Sequence, residues 1–237
     1  MGKRPWMTTI LLLIACALLT RLVPFSSFFR NVDTMIHETG HAVVTLLLSG
    51  KVNYIELFQN HGGVTYSVVV GSWKMIPIAL AGYVTASLFA VFMFYAQSQG
   101  KQRLGLQVIT VVALLDLLLF VRNGFGIAWL FGLIALNVAA LFFVPKWLQN
   151  GYFILLAFLC LEESVVGPIT LVRFVFSGGG AAGDAANLAK FTSIPGLVWA
   201  LFFLGFAFWC AMKCIKLFLG NHSSKQKQLP PYSRNLS

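Results

Sequence analysis

Asp33-Thr34-Met35-Ile36-His37-Glu38-Thr39-Gly40-His41, running on into Ala42-Val43-Val44-Thr45-Leu46-Leu47-Leu48, decides how the rest of the chain is read. The second half is apolar and suits a helix. The first half carries two histidines and a glutamate within five residues. Spacing i, i+4 puts both imidazoles on one helical face about one turn apart. There, neutral rings can hold one metal ion in a tetrahedral site of the kind Zn²⁺ prefers. Glu38, adjacent to His37, cannot easily ligate the same ion. It can reach a water on that ion, take its proton and pass it to a leaving amine. The competing reading is a chance pattern of hydrogen-bonded core histidines. Ionisable side chains inside an apolar helix are costly and as a rule functional, which favours the metal.

The surrounding composition places this helix in a membrane. Of 237 residues, 58% are hydrophobic and only 10% charged, against roughly 25% charged in soluble domains. The 22 Phe exclude disorder. The four cysteines, Cys16, Cys160, Cys210 and Cys214, lie in apolar segments without a CxxC pair, as small hydrophobes in helices do. The net charge of +10 reads as loop charge facing an anionic lipid bilayer; it is no nucleic-acid footprint. The expected fold class is an all-α polytopic membrane protein of about seven (six to seven) transmembrane helices, integral to a cell membrane.

The motif helix is expected over residues 28–49. Upstream, residues 7–20 form a short apolar run broken by Arg21 and Pro24; with no cleavage site after it, this is read as a retained first span and not a signal peptide. Further spans are expected at 75–96, 104–121, 125–144, 151–172 and 194–212. The third of these spans to follow the motif helix is free of charge, as is the first; the second encloses Asp116 and the fourth encloses Glu162 and Glu163. Two segments break the helical pattern. Residues 51–70 hold two β-rich runs around Gln59-Asn60-His61-Gly62-Gly63, a hairpin signal. Residues 177–190 are a glycine-rich loop followed by a short helix from about Asp184 to Lys190. Residues 1–220 are expected to form one integral-membrane domain, and 221–237 a polar, disordered tail.

Counting spans puts the hairpin, the loop at Arg122 to Gly124 and the Asp184 loop on one side of the membrane. The Lys/Arg balance leans weakly towards an external hairpin. From His41 to Gly50, where the helix is expected to end, the rise is about 13 Å, so the metal would sit nearly halfway into a core of about 30 Å. Water must then be led in between helices.

The HETGH string in an apolar helix, the hairpin directly after it and the glycine-rich Asp184 segment together resemble the site-2 protease family of zinc intramembrane metalloproteases, in a compact form without PDZ-like or CBS-like domains. The three patches cover about a quarter of the chain; the other spans match in hydropathy only. The resemblance implies that His37 and His41 bind one zinc together with a distant aspartate, that Glu38 is the base, and that the hairpin edge pairs with an unwound substrate strand. It also implies membrane-protein substrates, cleaved in a spanning segment, and an active site nearer the cytoplasmic face. A regulatory partner protein would be a separate chain.

The family's usual aspartate motif, Asn-x-x-Pro followed by Leu-Asp-Gly, is absent. Asp184, in Gly183-Asp184-Ala185-Ala186-Asn187-Leu188, is the expected third ligand, with the alternative that it only caps its short helix. Glu162, Glu163 and Asp116 are rivals; their plainer roles are pairing with Arg173 or Arg21, for the glutamates, and a hydrogen bond across helices, for Asp116. Asn123 could order substrate or a ligand, or sit in a plain turn. His61 is expected to be solvated at the hairpin turn. Gly82, Gly105, Gly124, Gly126 and Gly132 suggest close helix packing. Trp6, Trp73, Trp129, Trp147 and Trp199 suggest interfacial anchors. The function this supports is metal-dependent peptide hydrolysis within the membrane. The alternative is a non-proteolytic zinc-binding membrane protein, structural, transporting or inactive; a structural zinc site would be closed by four protein ligands, and only three good candidates are visible.

Overall fold

The computed structural model describes residues 26–179 and 183–227. The expected first span, with Trp6 and Cys16, lies outside them. The described chain is an all-α membrane protein with one small hairpin: α1 (Ser26–Leu47), β1 (Lys51–Leu57), β2 (Gly63–Val68), α2 (Met75–Ser98), α3 (Gln102–Leu115), α4 (Gly124–Phe142), α5 (Lys146–Phe174), α6 (Gly183–Thr192) and α7 (Gly196–Lys227). Five segments are long and apolar enough to cross a membrane: Ser72–Ser98, Gln102–Phe120, Gly124–Phe142, Lys146–Ser177 and Gly196–Gly220. The 22-residue α1 is also long enough, at about 33 Å, but carries Arg30, Asp33 and Glu38. It is shielded by its neighbours instead of by its own composition. The last helix runs on to Lys227, past Gly220, where a polar tail was expected to begin.

α2 is the hub and packs on α1, α5, α6 and α7. Its contact with α1 is close because both faces are small: a Cβ on Gly40 would meet Thr85 Oγ1 at 2.8 Å and the Ala81 carbonyl at 3.0 Å. In lipid, where apolar surface gains little by leaving the solvent, such close backbone approach is what holds helices together. The main core joins Val32, Met35 and Ile36 of α1 to Phe94 of α2, Leu106 and Ile109 of α3, Leu130 and Leu133 of α4, and Phe153 and Leu156 of α5. A second, smaller core of Ala79, Leu171, Ala185, Leu188, Ala200 and Phe203 seats α6 against α2, α5 and α7.

The hairpin is antiparallel, with Lys51 opposite Val68, Ile55 opposite Thr65 and Leu57 opposite Gly63. Period-2 alternation gives it two faces. Val64, Tyr66 and Val68 are exposed, whereas Gly63, Thr65 and Ser67 turn inward. It does not lie apart from the helices. Thr45 Oγ1 donates to Ser67 Oγ at 3.4 Å, Thr65 meets Glu38, and Thr34 Oγ1 donates to the His61 carbonyl at 2.9 Å. β1 therefore runs back antiparallel to α1, carrying the turn to the level of Asn31, and β2 returns parallel to α1. On its other edge, Ile55 of β1 bridges Val121 in parallel, just after α3 closes in a π-helical turn at Asp116–Phe120. The hairpin and the 121–123 loop thus share one side of the membrane, as span counting predicts.

Trp129 is no interfacial anchor. It is buried, and its indole donates to the Phe28 carbonyl at 2.8 Å. Trp73 and Trp147 are exposed near helix ends, as expected. Cys160, Cys210 and Cys214 are buried free thiols.

Candidate metal centre

α1 delivers two imidazoles to the face that looks across at α6. The His37 and His41 ring centroids are 4.8 Å apart, and the planes are near perpendicular at 77°. Asp184, the second residue of α6, reaches them from the opposite side: its Oδ2 lies 3.1 Å from His37 Nε2 and 3.3 Å from His41 Nε2. Gly183, at φ 54°, takes the left-handed turn that launches α6 at this angle. Ala185 and Leu188, both fully buried, anchor the helix behind it.

One atom of each of these residues lies within 4.8 Å of the other two, and they are the only such group of metal-ligating side chains among the described residues. His41 Nδ1 lies 2.7 Å from the Ile78 carbonyl. A carbonyl only accepts, so Nδ1 carries a proton and Nε2 is the nitrogen turned to the Asp184 carboxylate. With the ring neutral, a cation between Nε2 and Oδ2 would bridge the two. Holding the ligating imidazole through its second nitrogen is the usual way of fixing a metal-ligand tautomer. Space is kept as well: a Cβ on Gly82 would fall on Nε2 of both His37 and His41. Donor set, tautomer and clearance all fit a zinc-sized ion.

Glu38 is buried and lines the same cavity of about 370 Å³ as the three donors. The Thr65 hydroxyl lies 2.7 Å from Glu38 Oε2 and 3.1 Å from the Glu38 carbonyl. Gly63 leaves room for the carboxylate, since a Cβ there would come within 2.7 Å of Glu38 Cγ. The Tyr83 ring packs edge-on against His37 at 4.5 Å. Thr34, His61, Ser67, Glu163 and Asn187 complete a cavity wall polar enough for water.

The rival acids Glu162, Glu163 and Asp116 each have another partner. Glu162 and Glu163 pair with Arg30 of α1, at 2.9 Å from Arg30 Nη2 in the case of Glu162 Oε1. The expected partners are Arg173 and Arg21, of which Arg21 lies outside the described residues; Arg30 lies two turns before His37, on the same helical face. Asp116 is buried, with Oδ2 at 2.7 Å from the Thr39 hydroxyl, so it makes the expected bond across helices. Asn123 neither orders nor faces the donor group. Its side-chain oxygen accepts from Leu57 N at 3.1 Å and its amide donates to the Leu57 carbonyl at 2.6 Å, which clamps β1. His61 is tied to Asn31 Oδ1 at 3.0 Å instead of being solvated, and burial, then the nearby Arg30, hold its imidazole below the usual histidine range. Of the glycines, Gly105 packs on Phe153 and Gly132 on Phe28, but Gly124 has open space around its Cβ position. Thr65, Gly63 and Arg30 carry no sequence signal beyond the strand alternation and the helical period of Arg30 with His37.

A family model described as peptidase M50B-like matches residues 7–214. No curated protein and no solved structure matches the chain.

Proposed function

Because the chain belongs to the peptidase M50B-like family, we propose that it is an intramembrane zinc endopeptidase that hydrolyses a spanning segment of membrane-protein substrates. The observation that carries this is the meeting of three potential ligand atoms, His37 Nε2, His41 Nε2 and Asp184 Oδ2, beside a buried glutamate. His37, His41 and Asp184 would hold one zinc ion, with a fourth position left for water or substrate. Bound there, zinc supplies Lewis acidity that polarises the scissile carbonyl and activates water at neutral pH.

The chain's own residues do the rest. Glu38 takes the proton of the attacking water and returns it to the leaving nitrogen. The Thr65 hydroxyl fixes which way the Glu38 carboxylate points. The Ile78 carbonyl fixes the His41 tautomer. Arg30 offsets part of the charge of Glu162 and Glu163, the latter on the cavity wall. The spanning segment of the substrate must unwind to expose its backbone, and β2, which among the described residues pairs with no strand but β1, lies beside the cavity.

The test uses the full chain in lipid with a reporter whose spanning segment contains helix-breaking residues. Glu38→Gln should abolish cleavage while one zinc per chain is retained. Undiminished cleavage by that variant would overturn the assignment. A site that holds zinc with a fourth protein ligand and shows no cleavage would mark a structural metal protein instead.

A further inference from the structure

A second groove lies on the outer face between α2 and α7, lined by Leu88, Val91, Trp209, Lys213, Lys216 and Leu217. Trp209, Lys213 and Lys216 follow one face of α7, and the Lys213 ammonium sits 5.3 Å from the Trp209 ring centroid. Both α2 and α7 start on the hairpin side. Lys213 is therefore about 25 Å along α7 from Gly196, at headgroup level of the opposite leaflet when the core is about 30 Å thick.

Among the described residues these lysines have no carboxylate counter-ion. The seven carboxylates are Asp33, Glu38, Glu56, Asp116, Glu162, Glu163 and Asp184. They sit on α1, the hairpin, the turn after α3, the second half of α5 and α6. None is at the far end of α2 or α7. The neighbouring loops on that side add only cations: Lys101, Arg103 and Lys146. Among the described residues no carboxylate lies within ion-pair distance of Lys213 or Lys216. An unpaired ammonium pair above an apolar floor, open to lipid, is complementary to a phosphate on an acyl chain.

We propose that this groove is a binding site for one anionic phospholipid of the leaflet opposite the hairpin. Its phosphate lies between Lys213 and Lys216, and an acyl chain runs over Leu88, Val91 and Leu217. Lysine stems lie along apolar surface and present their charge at the headgroups. The bound lipid would bridge α2, which carries Gly82 under the imidazoles, and α7.

The experiment puts the full chain in nanodiscs of phosphatidylcholine with a minority of phosphatidylglycerol and counts retained lipid by native mass spectrometry. Wild type should keep one phosphatidylglycerol, and Lys213→Gln with Lys216→Gln should weaken that retention about thirtyfold. The control pair Lys101→Gln with Arg103→Gln should leave it unchanged. Phosphatidylglycerol with brominated acyl chains should quench a tryptophan signal that disappears in Trp209→Phe. Equal retention by the Lys213 and Lys216 variant overturns the proposal. So does equal loss in the control pair, which would mean diffuse surface attraction, or an acidic polypeptide occupying the groove in place of lipid.

Discussion

Thr65 donates a hydrogen bond to the Glu38 carboxylate, at 2.7 Å, and that contact sets how well the proposed base is aimed. A hydrogen bond to a charged group is worth about 1.5–3 kcal/mol. Thr65→Val should therefore lower turnover about tenfold to a hundredfold and leave zinc content unchanged, while Thr65→Ser restores most of it. Cleavage of the reporter alongside metal analysis checks both. If Thr65→Val lost metal as well as turnover, its role would be structural. Gly82 governs clearance in place of aim. Gly82→Ala places a methyl group on both imidazole Nε2 atoms, and zinc affinity should fall at least tenfold, in the range seen when a ligand's supporting contacts are disturbed. Metal titration measures it.

The hairpin is an element with three attachments, to α1 along β2, to Val121 along β1, and to Asn123 at its Leu57 end. A lone two-stranded hairpin is marginal in water, so these attachments keep it in place. Asn123→Ala removes two hydrogen bonds to the Leu57 main chain and should loosen the hairpin by about 1–3 kcal/mol. Hydrogen exchange should rise in residues 51–68 while the α1 amides keep their protection; unchanged exchange in the hairpin would show that the clamp is dispensable. α6 is held differently. Its ten residues are too few to be stable alone, and the small core around Ala185 and Leu188 does the holding.

At the scale of the molecule, Arg30 ties α1 to α5 through Glu162 and Glu163. Breaking a buried pair from one side typically destabilises by about 3–5 kcal/mol. Arg30→Gln should lower the denaturation midpoint accordingly, and adding Glu162→Gln with Glu163→Gln should recover part of it. Ligands on α1 and α6 also make the proposed metal a cross-link between helices. Chelation should lower the thermal midpoint, by as much as about 4 kcal/mol of stability at a thousandfold excess of metal over its dissociation constant; an identical midpoint with chelator would show that no metal bridges the two helices. The HETGH spacing, the apolar spans and the hairpin signal were legible because each is a local property: helical period, length against the bilayer, and turn chemistry act within a few residues. Asp184 could be nominated from its side of the membrane and its glycines. That it meets both imidazoles, that Arg30 pairs with Glu162 and Glu163, that the hairpin lies along α1, and that Trp129 is buried were decided by the tertiary structure. Between apolar helices in lipid, composition sets no direction. Small residues such as Gly40 and Gly82 select which faces approach, and only the packed bundle brings distant polar groups into register.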